Sequence, residues 1–427
     1  MIKIFENEIE LTSILNREIQ SYTEYEATVK EILAAVMEGG NEAVLNYSRK
    51  FDCAALQSLA VTEAEIAQAV KNIDASFMEI LQEAKANIEF FHKNQLRSNF
   101  ELKKEQGIIL GQKFTPIKRA GIYVPGGTAA YPSTVLMNAI PAKIAGVQEL
   151  IMTTPADKNG KIKAEILAAA HLCGINKIFK CGGAQAIAAM AYGTETIPAV
   201  DKIVGPGNIF VALAKKQVFG KVSIDMIAGP SEILVIADET ANPAFVAADL
   251  LSQAEHDKLA AAVLVTNSLC LAQEVSRQIE LQLPLLPRAD IARESIDKAG
   301  KIIITKSIER AIEISNAIAP EHLEICVDEP FALLDKIENA GSIFLGKNSP
   351  EPLGDYFAGP NHTLPTGGSA KFSSPLSVDD FVKKSSYLYY SKEALKAAKD
   401  KIADFAHREG LDAHARSILI RFEDENV

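Results

Sequence analysis

The sequence predicts an α/β protein: two Rossmann-like parallel-sheet lobes, a set of N-terminal helices and a C-terminal helical arm. Three observations carry that prediction. Short apolar runs alternate with helical stretches through AGIYVPGG, ELIMTT, KIFKCGGAQ and KIVGPGN; strands alternating with helices of this length imply parallel βαβ units. A second series of the same kind follows through EILVIAD, LAAAVLVTN, KIIITK, LEICV and SIFLG, with the joint near Ala228-Gly229-Pro230-Ser231. Both ends of the chain instead show apolar residues at three- and four-residue steps, the helical period.

In order along the chain, residues 1 to about 105 read as helical. Thr23 to Val36 and Glu63 to Leu81 are amphipathic, Gly39-Gly40 supplies a break, and Glu79 to Asn94 continues a long helix. From Ala120 the period changes to strands, each followed by a helix: Ser133 to Ala145, Lys163 to Cys173, Ala186 to Tyr192 and Ile209 to Phe219. VSIDMIAGPSE closes that series. In the second series helices start at Ala244, Leu269 and Ile308, with a short one near Phe331. Between Asn348 and Pro375 Gly, Pro, Ser and Asn crowd together and periodicity fails; a loop of that length is functional or a linker. Ser391 to Arg408 is helical again, and a tail rich in His and Arg follows.

Composition sets outer bounds. The chain has 427 residues, 48% hydrophobic and 23% charged, enough for two to four domains at roughly 100–200 residues each. Its 44 Lys+Arg against 55 Asp+Glu give a formal charge of −11, which argues against nucleic acid or an anionic membrane as the main partner. The densest apolar run, Leu259 to Val265, is far short of the roughly 18 residues of a membrane span. The acidic N-terminal stretch MIKIFENEIELTS lacks the basic and then apolar regions of a signal peptide. Cys53, Cys173, Cys181, Cys270 and Cys326 are scattered and without CxxC spacing, which fits a reducing compartment. The expected location is the cytoplasm.

Chemistry should concentrate at the carboxyl ends of strands. Tyr123-Val124-Pro125-Gly126-Gly127, Cys181-Gly182-Gly183-Ala184-Gln185 and Val204-Gly205-Pro206-Gly207-Asn208 each put glycines between a strand and a helix N-terminus, where bare amides suit phosphate. None is a true GxGxxG, and glycines also simply tighten βα turns. In Ser252-Gln253-Ala254-Glu255-His256-Asp257 Gln253 and His256, three apart, share a helix face and suit one metal or ligand, although a lone His near a helix end is often a cap. Glu321-His322 precedes the strand LEICV; an adjacent carboxylate and imidazole can divide acid and base work, or be two polar residues in a turn. Asp355 lies in the Gly/Pro loop with His362 seven residues on, and His407, Glu409 and His414 cluster in AHREGLDAHARS. Ser231 lacks the GxSxG elbow, and the cysteines are poor nucleophiles, only Cys181 having a basic neighbour, Lys180.

Taken together, YVPGG, GGAQAIAA, VGPGN, IDMIAGPSEILVIAD…ADLLSQAEHD, APEHLE, LGDYFAGPNHTLPTGG and EGLDAHARS resemble the histidinol dehydrogenase family from roughly residue 20 to the C-terminus. The resemblance implies oxidation of L-histidinol through L-histidinal to L-histidine, a four-electron reaction using two NAD+ in turn, at the end of histidine biosynthesis. It implies one zinc ion per subunit, held by Gln253, His256 and Asp355 of one chain and by His414 of the other in a homodimer with a shared active site. Glu321 and His322 would be the acid/base pair, and Tyr123, Gln185 and Asn208 the NAD contacts. Ser231, Gln253, His256, His322, Asp355, Glu409 and His414 would line the substrate pocket. The implied division is a helical segment at 1–20, a first lobe with the zinc site from 21–122 and 233–376, an NAD lobe at 123–232, and an exchanged arm at 377–427. Two rival classes remain open on the residues: a zinc-dependent hydrolase of a small amide or imine, and a two-lobed binding protein, against which the missing export signal and the Glu-His pair both stand.

Overall fold

The computed structural model describes residues 1–5, 23–126 and 130–426. The chain divides into two compact units, one of Met1–Gln95 and Ile117–Phe381, the other of Leu96–Pro116 and Val382–Val427.

The first described elements are β1 (Lys3–Phe5), α1 (Thr23–Phe51), α2 (Glu63–Asn72) and α3 (Ala75–His92). Residues 3–5 are expected to be helical and instead form a strand; residues 6–20 of the expected helix lie outside the described residues. Helix α1 bends at Gly40, whose φ of 51° and ψ of −134° leave the helical region. The single helix expected over Glu63–Leu81 is two, because Asp74 caps a new start by accepting from the Ser76 amide at 2.8 Å. Thr62 and Glu65 form a reciprocal capping box at the start of α2.

Next, β2 (Phe100–Lys104) and β3 (Ile108–Pro116) form an antiparallel hairpin around Gly107, at φ 74°. The helical reading stopped only near 105; the Ile, Phe and Thr content of this stretch favours a pleated surface instead. From Arg119 the expected alternation is found: β4 (Arg119–Tyr123), α4 (Pro132–Ala145), β5 (Glu149–Thr154), α5 (Ala164–Leu172), β6 (Lys177–Lys180), α6 (Gly183–Tyr192), β7 (Lys202–Val204), α7 (Ile209–Val218) and β8 (Ser223–Ile224). These strands make a wholly parallel sheet in the order β6-β5-β4-β7-β8.

The second series is β9 (Glu232–Ala237), α8 (Pro243–Ala254), β10 (Ala261–Thr266), α9 (Leu269–Gln282), α10 (Ala289–Ala299), β11 (Lys301–Ile304), α11 (Ile308–Ile318), β12 (His322–Cys326), α12 (Phe331–Leu334) and β13 (Ser342–Leu345). Its parallel sheet runs β1-β11-β10-β9-β12-β13, with the N-terminal strand adding an edge. Every residue of β9 is buried, as expected of a central strand covered by helices on both faces. A short helix, α13 (Glu351–Tyr356), interrupts the long stretch expected to be loop; then come β14 (Val382–Tyr390), α14 (Lys392–Arg408) and α15 (Asp412–Leu419). Strand β14 completes a three-stranded antiparallel sheet with β3 and β2 in the second unit.

The N-terminal helices cover the five-stranded sheet. Val29, Ile32, Leu33, Val36 and Val44 of α1 share a core with Ile187, Ala188 and Met190 of α6 and with Val211 and Ala214 of α7, while α2 packs on α5 and α3 on α4. Against the expected grouping of 21–122 with 233–376, α1 shares its core with the five-stranded sheet, whereas α3 also reaches the second series, Asn87 Nδ2 donating to the Phe357 carbonyl at 3.0 Å. An amphipathic stripe states that a face is buried, not which apolar surface buries it. Among the described residues no helix is long and apolar enough to cross a membrane.

Candidate active site at the amino edge of the six-stranded sheet

Ser231 immediately precedes β9, Gln253 lies in the last turn of α8 with His256 just beyond it, and Glu321-His322 lead into β12. All sit at the amino edge of the six-stranded sheet, because a helix between parallel strands runs back and ends where the next strand begins. The expectation that chemistry gathers at carboxyl ends thus fits the glycine turns after β4, β6 and β7 but not this cluster. Its approach is rigidly fixed. Ala319, at φ 52°, is the one non-glycine residue with positive φ among those described, a local strain tolerated where surroundings over-determine it. A Cβ at Gly341 would come within 2.5 Å of the Glu321 carbonyl oxygen, and that carbonyl accepts from the Ser342 amide at 2.9 Å.

Glu321 and His322 are buried. The Glu232 amide donates to Glu321 Oε2 at 2.8 Å, and that oxygen lies 3.6 Å from His322 Nδ1. Burial pushes the Glu321 carboxyl up to about 7, with His322 and the Glu232 amide pulling the other way. His322 Nδ1 is 3.0 Å from the Glu232 carbonyl oxygen and 3.2 Å from Gln253 Nε2. Its Nε2 faces Asp355 Oδ1 at 3.6 Å and Glu351 Oε1 at 3.9 Å. Burial alone would lower His322, but Glu321, Asp355 and Glu351 outweigh it and hold the ring up to about 10. Held protonated, the ring donates from Nδ1 to the Glu232 carbonyl and turns Nε2 toward the carboxylates.

Donor atoms of His256, Glu351 and Asp355 all lie within 4.8 Å of one another. Beside them Gln253 Oε1 and Glu351 Oε1 are buried acceptors that make no hydrogen bond among the described residues. Buried oxygens are normally satisfied, so these orphans and the imidazole fit a divalent cation, and a mixed nitrogen and oxygen set suits zinc. Burial raises Asp355, but His322 and His362 outweigh it and hold its carboxyl below the usual range; burial, with Asp355 nearby, pushes Glu351 up to about 8. Glu351 escaped the sequence reading. It stands four residues before Asp355 on α13, hence on the same face, but a helix was not recognised in so Gly- and Pro-rich a stretch. His362 also joins the site through Nδ1, 3.0 Å from the Asp355 carbonyl oxygen.

The other expected residues are placed as follows. Tyr123 closes β4, buried, and its phenol oxygen accepts from the Gly183 amide at 3.1 Å. Gln185 is buried in the first turn of α6, and its Nε2 makes no hydrogen bond among the described residues. Asn208 caps α7, accepting from the Phe210 and Val211 amides at 3.1 and 3.2 Å, so its amide hydrogens are what it has left to offer a ligand. Gly127, in the first turn, lies outside the described residues. Glu409 and His414 are exposed residues of the second unit, at the end of α14 and on α15. None of the five cysteines is disulfide-bonded, and none belongs to the His-carboxylate cluster.

Asp52 is a further, half-buried carboxylate at these turns, accepting from the Gly182 amide at 3.4 Å. Burial pushes it up to about 6, the Gly182 amide offsetting only part. The folded state therefore holds a proton that the unfolded chain releases, so this group costs stability as pH rises from the ordinary carboxylate range through about 6. Asp52→Asn should stabilise the protein by about 1–2 kcal/mol in mildly alkaline buffer, allowing for partial solvent exposure, and by little in mild acid. Thermal melts at the two pH values check this; an equal gain at both would contradict it.

A family model described as histidinol dehydrogenase matches residues 15–422. Histidinol dehydrogenase of Clostridium acetobutylicum is 57% identical over 411 residues, covering 96% of this chain and 95% of the relative. That of Geobacillus kaustophilus is 56% identical over 410 residues, covering 96% and 97%. The crystal structure of histidinol dehydrogenase from Elizabethkingia anophelis is 40% identical, with a TM-score of 0.95, covering all of this chain and 99% of that one. With the family model matched over nearly the whole length and the same fold in a solved relative, this chain belongs to the histidinol dehydrogenase family.

Proposed function

We propose that this protein oxidises L-histidinol through L-histidinal to L-histidine with two NAD+, in the cytoplasm, as the end of L-histidine biosynthesis. The observation that carries the reading is the buried Glu321-His322 pair set against the cluster of His256, Glu351, Asp355 and the unpartnered Gln253 Oε1. The family match sets aside the zinc-hydrolase alternative.

The overall balance is one histidinol, one water and two NAD+ giving histidine carboxylate, two NADH and three protons. His322 Nε2 is the assigned acceptor for the alcohol proton as the first hydride leaves the substrate carbon for NAD+. Glu321, with a carboxyl near neutrality, then takes a proton from the water that adds to the aldehyde, and the hydrate gives up the second hydride. Gln253, His256 and Asp355 are assigned to the zinc, with His414 of the partner subunit, and Ser231 and Glu409 to the substrate. Zinc, when bound, would supply a positive charge that attracts the substrate's nitrogen donors and offsets the carboxylate charge that otherwise keeps His322 protonated. Tyr123, Gln185 and Asn208, on three turns at one edge of the five-stranded sheet, are assigned to NAD+, the α6 and α7 N-terminal dipoles favouring its phosphates.

A homodimer is part of the proposal. In the second unit Leu102 and Leu388 lie in one cross-strand row through Leu110 and are 56% and 73% exposed. Phe100 and Tyr389 are 48% and 57% exposed on the same small sheet. Exposed apolar surface of this kind supports that reading.

The test is direct. Metal-replete protein given L-histidinol and NAD+ should form NADH, lose that activity to a chelator and regain it with zinc. No NADH would overturn the proposed reaction, and full turnover after chelation would remove zinc from it.

A further inference from the structure

The turn Val204-Gly205-Pro206-Gly207-Asn208 is held from beneath by a buried ion pair. Lys215 on α7 and Asp225, just after β8, form a salt bridge with side chains only 3% and 1% exposed. Both also grip the same residue of the turn. Lys215 Nζ donates to the Gly205 carbonyl oxygen at 3.0 Å, and the Gly205 amide donates to Asp225 Oδ2 at 2.8 Å. The other Asp225 oxygen accepts from the Met226 amide at 2.6 Å.

Gly205 needs such a grip. Its φ is 112°, and a Cβ there would lie 2.1 Å from the Tyr123 carbonyl oxygen. Glycine alone fits this conformation, but glycine is also the residue with most freedom to leave it. With both backbone groups of Gly205 tied to one rigid pair, the peptide planes on either side are fixed. The direction in which the chain runs into Asn208 and the α7 N-terminus is then fixed too. The pairing has an electrostatic effect as well. An unpaired Asp225 under this turn would repel the phosphates of a dinucleotide, and Lys215 cancels that charge without reaching the surface.

We propose that Lys215 and Asp225 are positioning residues for the dinucleotide: they set the Gly205 turn, and through it Asn208, in the geometry that NAD+ binds. This rests on the reading of the turn as an NAD+ contact. The pair's bonds go to the Gly205 turn and the Met226 amide, not to Glu321 or His322, so it should govern cofactor affinity rather than the chemical step.

Removing one partner leaves a buried charge, which endangers folding. The test therefore uses the neutral double variant Lys215→Met/Asp225→Asn, in which the introduced asparagine still offers an acceptor to the Gly205 amide. Thermal melting verifies folding, and Lys215→Met alone is compared. In the folded double variant KM for NAD+ should rise about tenfold or more, with kcat at saturating NAD+ and KM for L-histidinol both within about threefold of wild type. A merely structural role would lower the melting temperature without splitting the two KM values. A folded double variant with unchanged KM for NAD+, or with only kcat reduced, overturns the proposal. Where wild type forms NADH but Asn208→Ala leaves KM for NAD+ unchanged, the reading of the turn itself is overturned, whatever the double variant does.

Discussion

His322→Asn should lower kcat by about a hundred- to ten-thousand-fold, the range for loss of a positioned general base, while leaving the protein folded. The asparagine can keep a donor bond to the Glu232 carbonyl, which lies 3.0 Å from His322 Nδ1, but it has no group that accepts a proton at neutral pH. The oxidation of L-histidinol should fall, since it loses the acceptor for its alcohol proton. Glu321→Gln should behave differently. The introduced glutamine can still accept from the Glu232 amide through its oxygen, so the architecture survives, but water addition to the aldehyde loses its base. Oxidation of L-histidinal should then fall by a similar factor, while the first hydride transfer from L-histidinol falls much less. Single-turnover NADH formation from each substrate separates the steps. Equal loss on both substrates in Glu321→Gln would contradict the division of labour.

The second large effect concerns the sharing of the site between chains. His256→Ala and His414→Ala should each abolish zinc retention and turnover as pure homodimers. If His414 acts in the partner's site, a mixed dimer has one site with both lesions and one with neither. Random mixing by unfolding and refolding together should then restore about a quarter of wild-type activity, since half of the dimers are mixed and each has one intact site. Activity that stays at zero after verified mixing would place His414 in the same site as His256 of its own chain, or outside the site altogether.

Much of the architecture could be read from the residues because parallel strands buried on both faces are nearly continuous apolar runs. EILVIA and AAVLVT are of that kind, and the strands found there are Glu232–Ala237 and Ala261–Thr266. The segments that escaped lack that signal. FELKK of β2 is wholly exposed, KKSSYLYY of β14 likewise, and Lys3–Phe5 is three residues long and owes its strand to pairing with Lys301–Ile303. Lys3–Phe5 and β14 owe their structure to partners distant in sequence, and β2 to a hairpin with β3, none of which a local apolar period records. In the site, Glu321, His322, Gln253 and His256 stood out because their spacing is short. Glu351 did not, because its helix of six residues is framed by proline and glycine. The amino-edge location was missed for a different reason. The rule that ligands gather at carboxyl ends describes the glycine turns, whereas the residues at this cluster are placed by where α8 and α11 end.

The stoichiometry of the complete reaction tests the central proposal most directly. Metal-replete protein should convert a limiting amount of L-histidinol to L-histidine with two NADH formed per histidinol and no aldehyde escaping to a trapping reagent. One NADH per histidinol with released aldehyde, or no NADH at all, would contradict it.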